Sequence, residues 1–200
     1  IAKVRAVNPA VLANTHFYAG DLAHFQLQFM EQPMNCIVYL QYGAMHQSFV
    51  EVAQAKAEGV IVGTVIGLLR DEIGKRFARR YLARFGENAS PQVGCQPYTS
   101  VHHYALAASL AGGTGGPGDF KQNREVARRL KETIFRGVVG TIHYHPRWQA
   151  AIPYPDATHD PSLGIPHLFF QIQDFEKEQV LIAPEPYNTG RFKPPPWMGP

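Results

Sequence analysis

The sequence predicts an α/β protein built around a parallel sheet. Three short apolar segments have the length and composition of buried strands and lie at residues 10–15, 36–42 and 60–66. Segments with apolar residues at helical spacing separate them, so the first third of the chain alternates between helix and strand. Strands joined by helices of this length pair in parallel through right-handed crossovers.

Composition limits the possible classes of function. The chain has 200 residues, of which 45% are hydrophobic, so it can bury a core as one domain or two small ones. The net charge is only +3, and the densest basic patch, from Lys75 to Arg84, falls at helical spacing, which is typical of a solvated helix face and gives weak support for nucleic-acid binding. Cys36 and Cys95 fit neither a metal site nor a disulfide framework.

The first strand and the helix after it form a continuous strand–loop–helix unit. Residues 10–15 suit a strand that is buried on both faces. Asp21 is predicted to be the N-cap of the following helix, which carries Leu22 and Phe29 among its apolar residues. A helix at residues 48–57 is predicted between the second and third strands.

The remaining elements follow from apolar spacing and from proline. Helices are predicted at residues 71–85, 97–110 and 123–135, and later strands at 138–145, 168–174 and 179–183. Proline concentrates after Pro146, and the final residues, RFKPPPWMGP, cannot form a helix.

Ring and amide side chains follow the first two predicted strands. His16, Phe17 and Tyr18 come directly after the first strand, and Gln41 and Tyr42 end the second. Ligands of open α/β sheets bind outside the carboxyl ends of the strands. Ring faces beside a hydrogen-bonding tyrosine and glutamine suit a small ligand with an apolar body and a polar group. These five residues are the predicted site.

Four histidines offer a weaker alternative. His143 and His145 are two residues apart on a predicted strand and would share one face, and His102 and His103 could add further ligands. A metal-dependent hydrolase is therefore an alternative function. However, no HExxH motif is present, and no carboxylate stands at the usual offset. We expect no metal and no cofactor.

Five segments in order resemble the type I periplasmic binding proteins of the branched-chain amino acid and amide group, which deliver substrates to ABC transporters. The segments are IAKVRAVNPAVL, EGVIVGTVIG, YTSVHHYALAASLAGG, RGVVGTIHYHP and QVLIAPEPYNTGRFKPPPW. The resemblance covers the whole chain but only the C-terminal portion of that family's fold. It implies two lobes with the ligand in the cleft between them.

The resemblance implies how the chain divides. Residues 1–69 are expected in the second lobe, 70–174 in the first, and 175–200 to cross back and end in the Pro-rich tail. The expected fold class is therefore α/β, with the parallel-sheet sandwich lobes of the periplasmic binding protein type I fold, here incomplete. Half-sheets would expose apolar strand edges, so we expect a missing N-terminal segment or a second chain to complete the fold.

The resemblance also limits the class of ligand that is expected. It implies a ligand-contacting ring at Phe17 or Tyr18. Amino-acid receptors of the group place an acidic residue after the next strand, but Gln41 or Tyr42 stands there, and no carboxylate is expected nearby. The expected ligand is therefore neutral or anionic: an amide, an organic or aromatic acid, or a compound similar to a branched-chain amino acid.

The predicted function is that of a periplasmic solute-binding receptor without enzymatic activity. It would close its cleft over a small molecule and deliver that molecule to the membrane subunits of an ABC transporter. An intracellular ligand sensor on the same fold is the alternative from another class. A signal peptide in the complete gene would separate the two, because the receptor needs one and the sensor does not.

Overall fold

The computed structural model describes residues 1–199 and divides into two compact units. The first unit joins Ile1–Thr64 to the chain from Leu168 onward, and the second consists of Val65–His167. The chain thus changes unit a few residues before the boundaries that were expected after residues 69 and 174. The assignment of these units to the two lobes of a binding protein stays a prediction.

The helices and strands below are those of the described residues. The α-helices are α1 (Ala2–Val7), α2 (Ala19–Glu31), α3 (Gln47–Ala53), α4 (Glu72–Phe85), α5 (Pro91–Leu110) and α6 (Phe120–Glu132). The strands are β1 (Val11–His16), β2 (Ile37–Tyr42), β3 (Ile61–Thr64), β4 (Phe135–Gly137), β5 (Gly140–Ile142), β6 (Pro153–Tyr154), β7 (Ile165–Pro166), β8 (Leu168–Gln171) and β9 (Val180–Ala183). Short 3-10 turns occupy Gly43–Met45 and Gln54–Ala57.

The first unit is built on one five-stranded sheet in the order β1-β2-β3-β8-β9. The first three strands pair in parallel, which confirms the parallel sheet that the sequence predicted. β8 then runs antiparallel to β3, and β9 antiparallel to β8. All four residues of β3 are buried, as the run of β-branched residues in this strand predicted.

The core of this unit lies between the sheet and its helices. Its fully buried large side chains include Leu22, Phe29, Leu40, Phe49, Phe170 and Leu181. The Pro-rich tail packs on the same unit, because the indole Nε1 of Trp197 donates to the carbonyl of Cys36 at 2.9 Å and its ring meets Phe29 edge-on at 5.4 Å. Gly59 has a φ of 94°, and a Cβ on this residue would lie 2.7 Å from Pro195 Cβ, so only glycine fits beneath the tail.

The second unit is mainly helical. α4 begins at a cap in which Asp71 Oδ1 accepts from the Gly74 amide at 2.8 Å. A small core formed by Leu68, Phe77, Cys95, Val138 and Val139 joins α4 and α5 to the turn between β4 and β5. Cys36 and Cys95 are both buried free thiols, as expected of small apolar side chains.

Several predicted boundaries in the sequence were wrong. The first-strand segment ends at His16, and α2 begins at Ala19 with Tyr18 as its N-cap residue, so Asp21 lies in the first turn and does not cap the helix. α5 begins at Pro91 with Pro97 inside it, because the first-turn preference for proline is met at Pro91.

The predicted strand at 138–145 was also wrong. The chain turns within this segment at Val138 and Val139, and β4 and β5 form an antiparallel hairpin in which Gly140, with a φ of 118°, begins β5. α6 begins three residues earlier than predicted, because Asp119 caps it by accepting from the Gln122 amide at 3.0 Å. Across residues 1–199, the helices are all too short or too polar to span a membrane.

Candidate functional site

The predicted site residues meet at one edge of the sheet in the first unit. His16 ends β1 and Tyr42 ends β2, and the two are register partners in the parallel pair, as are Thr15 and Gln41. Phe17 and Tyr18 follow His16 in the short connection to α2. All five predicted residues therefore lie at the carboxyl end of two neighbouring parallel strands, where α/β sheets bind ligands.

Two rings at this edge stack face to face. The centroids of Phe17 and Tyr42 are 5.0 Å apart, with an angle of 5° between the ring planes. Tyr42 has a φ of 67°, which is unusual for a bulky residue and marks a constrained backbone. A Cβ on Gly43 would lie 2.8 Å from the Phe17 carbonyl oxygen, so the glycine lets the two loops approach.

Two aromatic rings at this edge, those of Phe17 and Tyr18, lie at the surface. Phe17 is 68% exposed and Tyr18 is 72% exposed. Large exposed aromatic side chains at a loop tip carry a cost in water unless a partner covers them. The site thus offers a flat apolar surface beside a phenol.

Polar groups accompany the rings. The Thr15 hydroxyl donates to Gln41 Oε1 at 3.1 Å and fixes the orientation of the amide. In the residues that the structure describes, the Gln41 amide nitrogen has no hydrogen-bond partner, so this donor can meet an acceptor on a ligand. The arrangement can recognise a carbonyl or carboxylate oxygen beside an apolar body.

One carboxylate reaches this edge, which sequence reasoning missed. Asp21 Oδ2 lies 2.8 Å from His16 Nε2, and the Asp21 side chain is 71% exposed. The expectation of no carboxylate concerned the position after the second strand, whereas this carboxylate meets the imidazole at the end of β1. The residue was interpreted as a helix cap, whereas its place in the first turn of α2 lets it bind the imidazole instead. No spacing rule in the sequence reveals this contact, because it spans the turn between β1 and α2.

A concave surface of about 750 Å³ lies within the Val65–His167 unit. Along it runs a chain of five rings whose successive centroids are 4.7, 5.4, 4.8 and 4.3 Å apart, namely Phe85, Tyr81, Phe77, Tyr98 and His102. Arg76, Arg80 and Arg84 line the same cavity. The sequence predicted the arginines as a helix face. It did not reveal the chain of rings, because these rings come from two helices whose pairing a sequence does not show.

The four histidines of the metal alternative do not form a site. His103 is buried, stacks on Phe135 and has Nε2 2.8 Å from the Thr133 hydroxyl. His145 stacks on Trp148, and both His143 and His145 lie after the end of β5. Among the described residues, no three His, Cys, Asp or Glu side chains come together as metal ligands do.

Solved structures identify the fold. No family model and no curated protein matches the chain. A candidate branched-chain amino acid ABC transporter from Silicibacter pomeroyi is 51% identical with a TM-score of 0.91, and the match covers 98% of this chain and 50% of that one.

More distant structures agree on the fold. A leucine-binding protein from Thermotoga maritima has a TM-score of 0.65 at 16% identity, over 91% of this chain and 46% of its own. A type 1 periplasmic binding protein from Bordetella pertussis has a TM-score of 0.60 at 14% identity, over 92% of this chain and 48% of its own. The chain thus spans about half the length of these proteins, and the resemblance read from its sequence is confirmed: it has the α/β fold of the type I periplasmic binding proteins, in part.

Proposed function

We propose that the chain is part of a solute-binding receptor that holds a small molecule and delivers it to an ABC transporter. The observation that carries this proposal is the exposed ring of Phe17, stacked on the half-buried ring of Tyr42 at the carboxyl ends of β1 and β2. The similarity to the Silicibacter protein, itself described as an ABC transporter, supports the class of function. No bond is made or broken in such a role, and cleft closure over the ligand supplies the response.

The ligand in this proposal has a flat or branched apolar body and an oxygen acceptor. The body lies against the exposed ring of Phe17, which the stacked ring of Tyr42 supports from its other side. The acceptor meets the Gln41 amide nitrogen, while Thr15 holds the amide oxygen. An amide or a carboxylic acid with an aromatic or aliphatic side group fits this chemistry.

Among the described contacts of the five predicted site residues there is one carboxylate, that of Asp21. It already pairs with His16. Asp21 is bonded to His16 at 2.8 Å, so binding a ligand ammonium there would compete with the imidazole. This competition favours a neutral or anionic ligand over a free amino acid. A branched-chain amino acid would need Asp21 to release His16.

The proposed location and partners follow from the same class. We place the receptor outside the cytoplasm, where the periplasmic binding protein of Bordetella pertussis acts by its description, with ABC transporter membrane subunits as partners. The other half of the fold would come from a further segment or a second chain, since the match spans 50% of the Silicibacter protein.

A ligand screen tests the proposal. Thermal unfolding of the complete protein is measured against amides, organic acids, aromatic compounds and amino acids, and a bound ligand raises the midpoint by mass action. Tyr18→Ala and Gln41→Ala are then compared with the parent by calorimetric titration of the hit. We expect each variant to weaken binding by about tenfold, the equivalent of about 1.4 kcal/mol, and to leave ligand-free thermal unfolding nearly unchanged.

Two results would contradict the proposal. If both variants bind the hit as the parent does, the ligand lies elsewhere. If the screen includes the amino acids and selects one with a free ammonium, the neutral-or-anionic specificity is wrong, and Asp21→Asn should then abolish that binding.

A further inference from the structure

Helix α4 carries a row of positive charge that nothing balances. Arg76, Arg80 and Arg84 recur every four residues and are all exposed, so one side of the helix presents three cations about one turn apart. Like charges four residues apart destabilise a helix. Among the described residues, no carboxylate pairs with any of the three. An anion lying between these arginines would remove the repulsion.

Helix α6, in the same unit, shows how arginines are balanced where no ligand is needed. Glu125 and Glu132 lie 2.5 and 2.6 Å from the guanidinium of Arg128, at helical spacings of three and four residues. The acidic residue in the first turn of α4, Glu72, pairs instead with Lys75. The arginine row of α4 therefore lacks the internal partners that α6 has.

The three arginines line the concave surface between α4 and α5, which we call the α4–α5 groove. Arg136 lines it too but pairs with Asp71, and no Asp or Glu of the described chain is among the lining residues. The volume of about 750 Å³ lies within the range of small-molecule sites, about 300–1,000 Å³. The groove thus suits a small anion.

The rings of the α4–α5 groove are held in place by the pairing of the two helices. Tyr98 is 46% exposed, and its ring centroid lies 4.8 Å from that of Phe77 and 4.3 Å from that of His102. Tyr81 lies against Gly94, where a Cβ would come 2.3 Å from the ring. Rings fixed in this way offer a flat body a preformed surface at little cost in conformational entropy.

We propose that the α4–α5 groove binds a small aromatic dicarboxylate. The ring of the ligand lies on Tyr98, and its carboxylates meet Arg76 and Arg80, because a guanidinium binds a carboxylate through two parallel hydrogen bonds. Successive arginines of the row rise about 6 Å along the helix, so two carboxylates on opposite sides of one ring each meet a different guanidinium. This site is separate from the loop edge of the first unit and does not rest on the proposed function.

Calorimetric titration of the complete protein with benzene-1,4-dicarboxylate tests the groove. Arg80→Gln is compared with Arg79→Gln, which changes an exposed arginine of the same helix outside the groove. Tyr98→Leu is compared with Tyr104→Leu, since these tyrosines of α5 are 46% and 47% exposed and only Tyr98 lines the groove. Cyclohexane-1,4-dicarboxylate and 1,4-bis(hydroxymethyl)benzene measure the separate contributions of the aromatic ring and of the charges.

We expect Arg80→Gln to raise the Kd at least about fivefold, because a charge-assisted pair of hydrogen bonds is lost, and Tyr98→Leu to raise it about threefold through the loss of ring contact. The Kd of both control variants should equal that of the parent, and both control compounds should bind more weakly. Added salt should weaken binding of the dicarboxylate. The proposal is overturned if the parent shows no saturable binding up to about 1 mM, or if Arg80→Gln and Arg79→Gln give equal Kd values.

One further variant separates this site from the loop edge of the first unit. Gln41→Ala is titrated with the same dicarboxylate, and we expect it to retain the binding that depends on Arg80. Loss of all binding in Gln41→Ala, with none in Arg80→Gln, would place the compound at the loop edge and overturn the proposal. Failure of the groove in this way would leave the ligand screen of the proposed function unaffected.

Discussion

The two units of the molecule expose aromatic and apolar side chains in different places. In the first unit, Phe17 and Tyr18 are exposed at a loop that follows a parallel strand, while the sheet beneath them is packed. In the second, Val101, Tyr104 and Phe85 are exposed along the lengths of helices. Loops at the carboxyl ends of parallel strands are the usual ligand-binding positions of α/β sheets, whereas an exposed helix face has no such preference.

Exposure alone does not identify a site. Three features accompany the exposed rings of the first unit: the oriented amide of Gln41, the constrained backbone of Tyr42, and Gly43, where a Cβ would collide with the neighbouring loop. The exposed side chains of Val101 and Ala105 on α5 carry no polar group. The oriented amide thus favours the loop edge of the first unit as the candidate binding surface.

The largest effect is expected in the core of the first unit. Phe170→Ala removes a ring that is 0% exposed on β8, in the middle of the sheet. We expect the free energy of unfolding to fall by about 3–5 kcal/mol, measured by urea denaturation of the complete protein. Phe120→Ala removes the same side chain where it is 69% exposed. A similar loss for both variants would contradict the described core.

A smaller effect is expected where the two site loops meet. Gly43→Ala places a Cβ 2.8 Å from the Phe17 carbonyl oxygen, so the loops must separate. We expect a loss of about 1–3 kcal/mol in unfolding free energy together with weaker ligand binding. Gly20→Ala is the matched control, because nothing lies within 4 Å of a Cβ there. Normal binding by Gly43→Ala would show that the loop approach is not needed.

Two helix caps of the second unit give the next effect. Asp71 caps α4 and is also paired with Arg136, while Asp119 caps α6 without such a pair. Asp71→Ala should cost about 1–2 kcal/mol, of which the cap supplies about 1 and the half-exposed pair the remainder. Asp119→Ala should cost only about 1 kcal/mol. Urea denaturation measures both, and a larger loss for Asp119→Ala would contradict the pairing.

The smallest effect is a pH dependence in the second unit. Burial lowers the pKa of His103, so the folded protein keeps this imidazole neutral where the unfolded chain takes up a proton. Stability is therefore retained above the ordinary histidine pKa of about 6.5 and falls as the pH is lowered through it. His103→Gln should flatten part of this slope in urea titrations between about pH 7 and 5. Burial also lowers the pKa of His167, so this residue contributes a slope of the same sign. An unchanged slope in His103→Gln would contradict this assignment.

Local patterns predicted the parallel half of the first sheet well. Runs such as residues 60–66 are rich in β-branched residues, and the boundaries of β1, β2 and β3 fall within or next to the predicted strands. The five site residues could be predicted because parallel pairing fixes which strand ends are neighbours. Whether a ligand binds them stays a prediction.

Tertiary features were beyond the sequence patterns. The bond between His16 and Asp21 spans a turn whose shape no periodicity reveals. The hairpin turn at Val138 and Val139, followed by Gly140 with a positive φ, divides a segment that alternates like a single strand. The ring chain from Phe85 to His102 needs the pairing of α4 with α5. A sequence pattern describes one helix or strand at a time, whereas each of these features joins two elements.

The central claim is that ligand binds on the rings at the carboxyl ends of β1 and β2. Calorimetric titration of the screened ligand into Phe17→Ala and Phe120→Ala tests it directly, because the two phenylalanines are 68% and 69% exposed and differ in location. We expect Phe17→Ala to raise the Kd at least about tenfold, the loss of one buried ring contact of about 1.4 kcal/mol, and Phe120→Ala to leave it unchanged. Equal Kd values for both variants and the parent would contradict the claim.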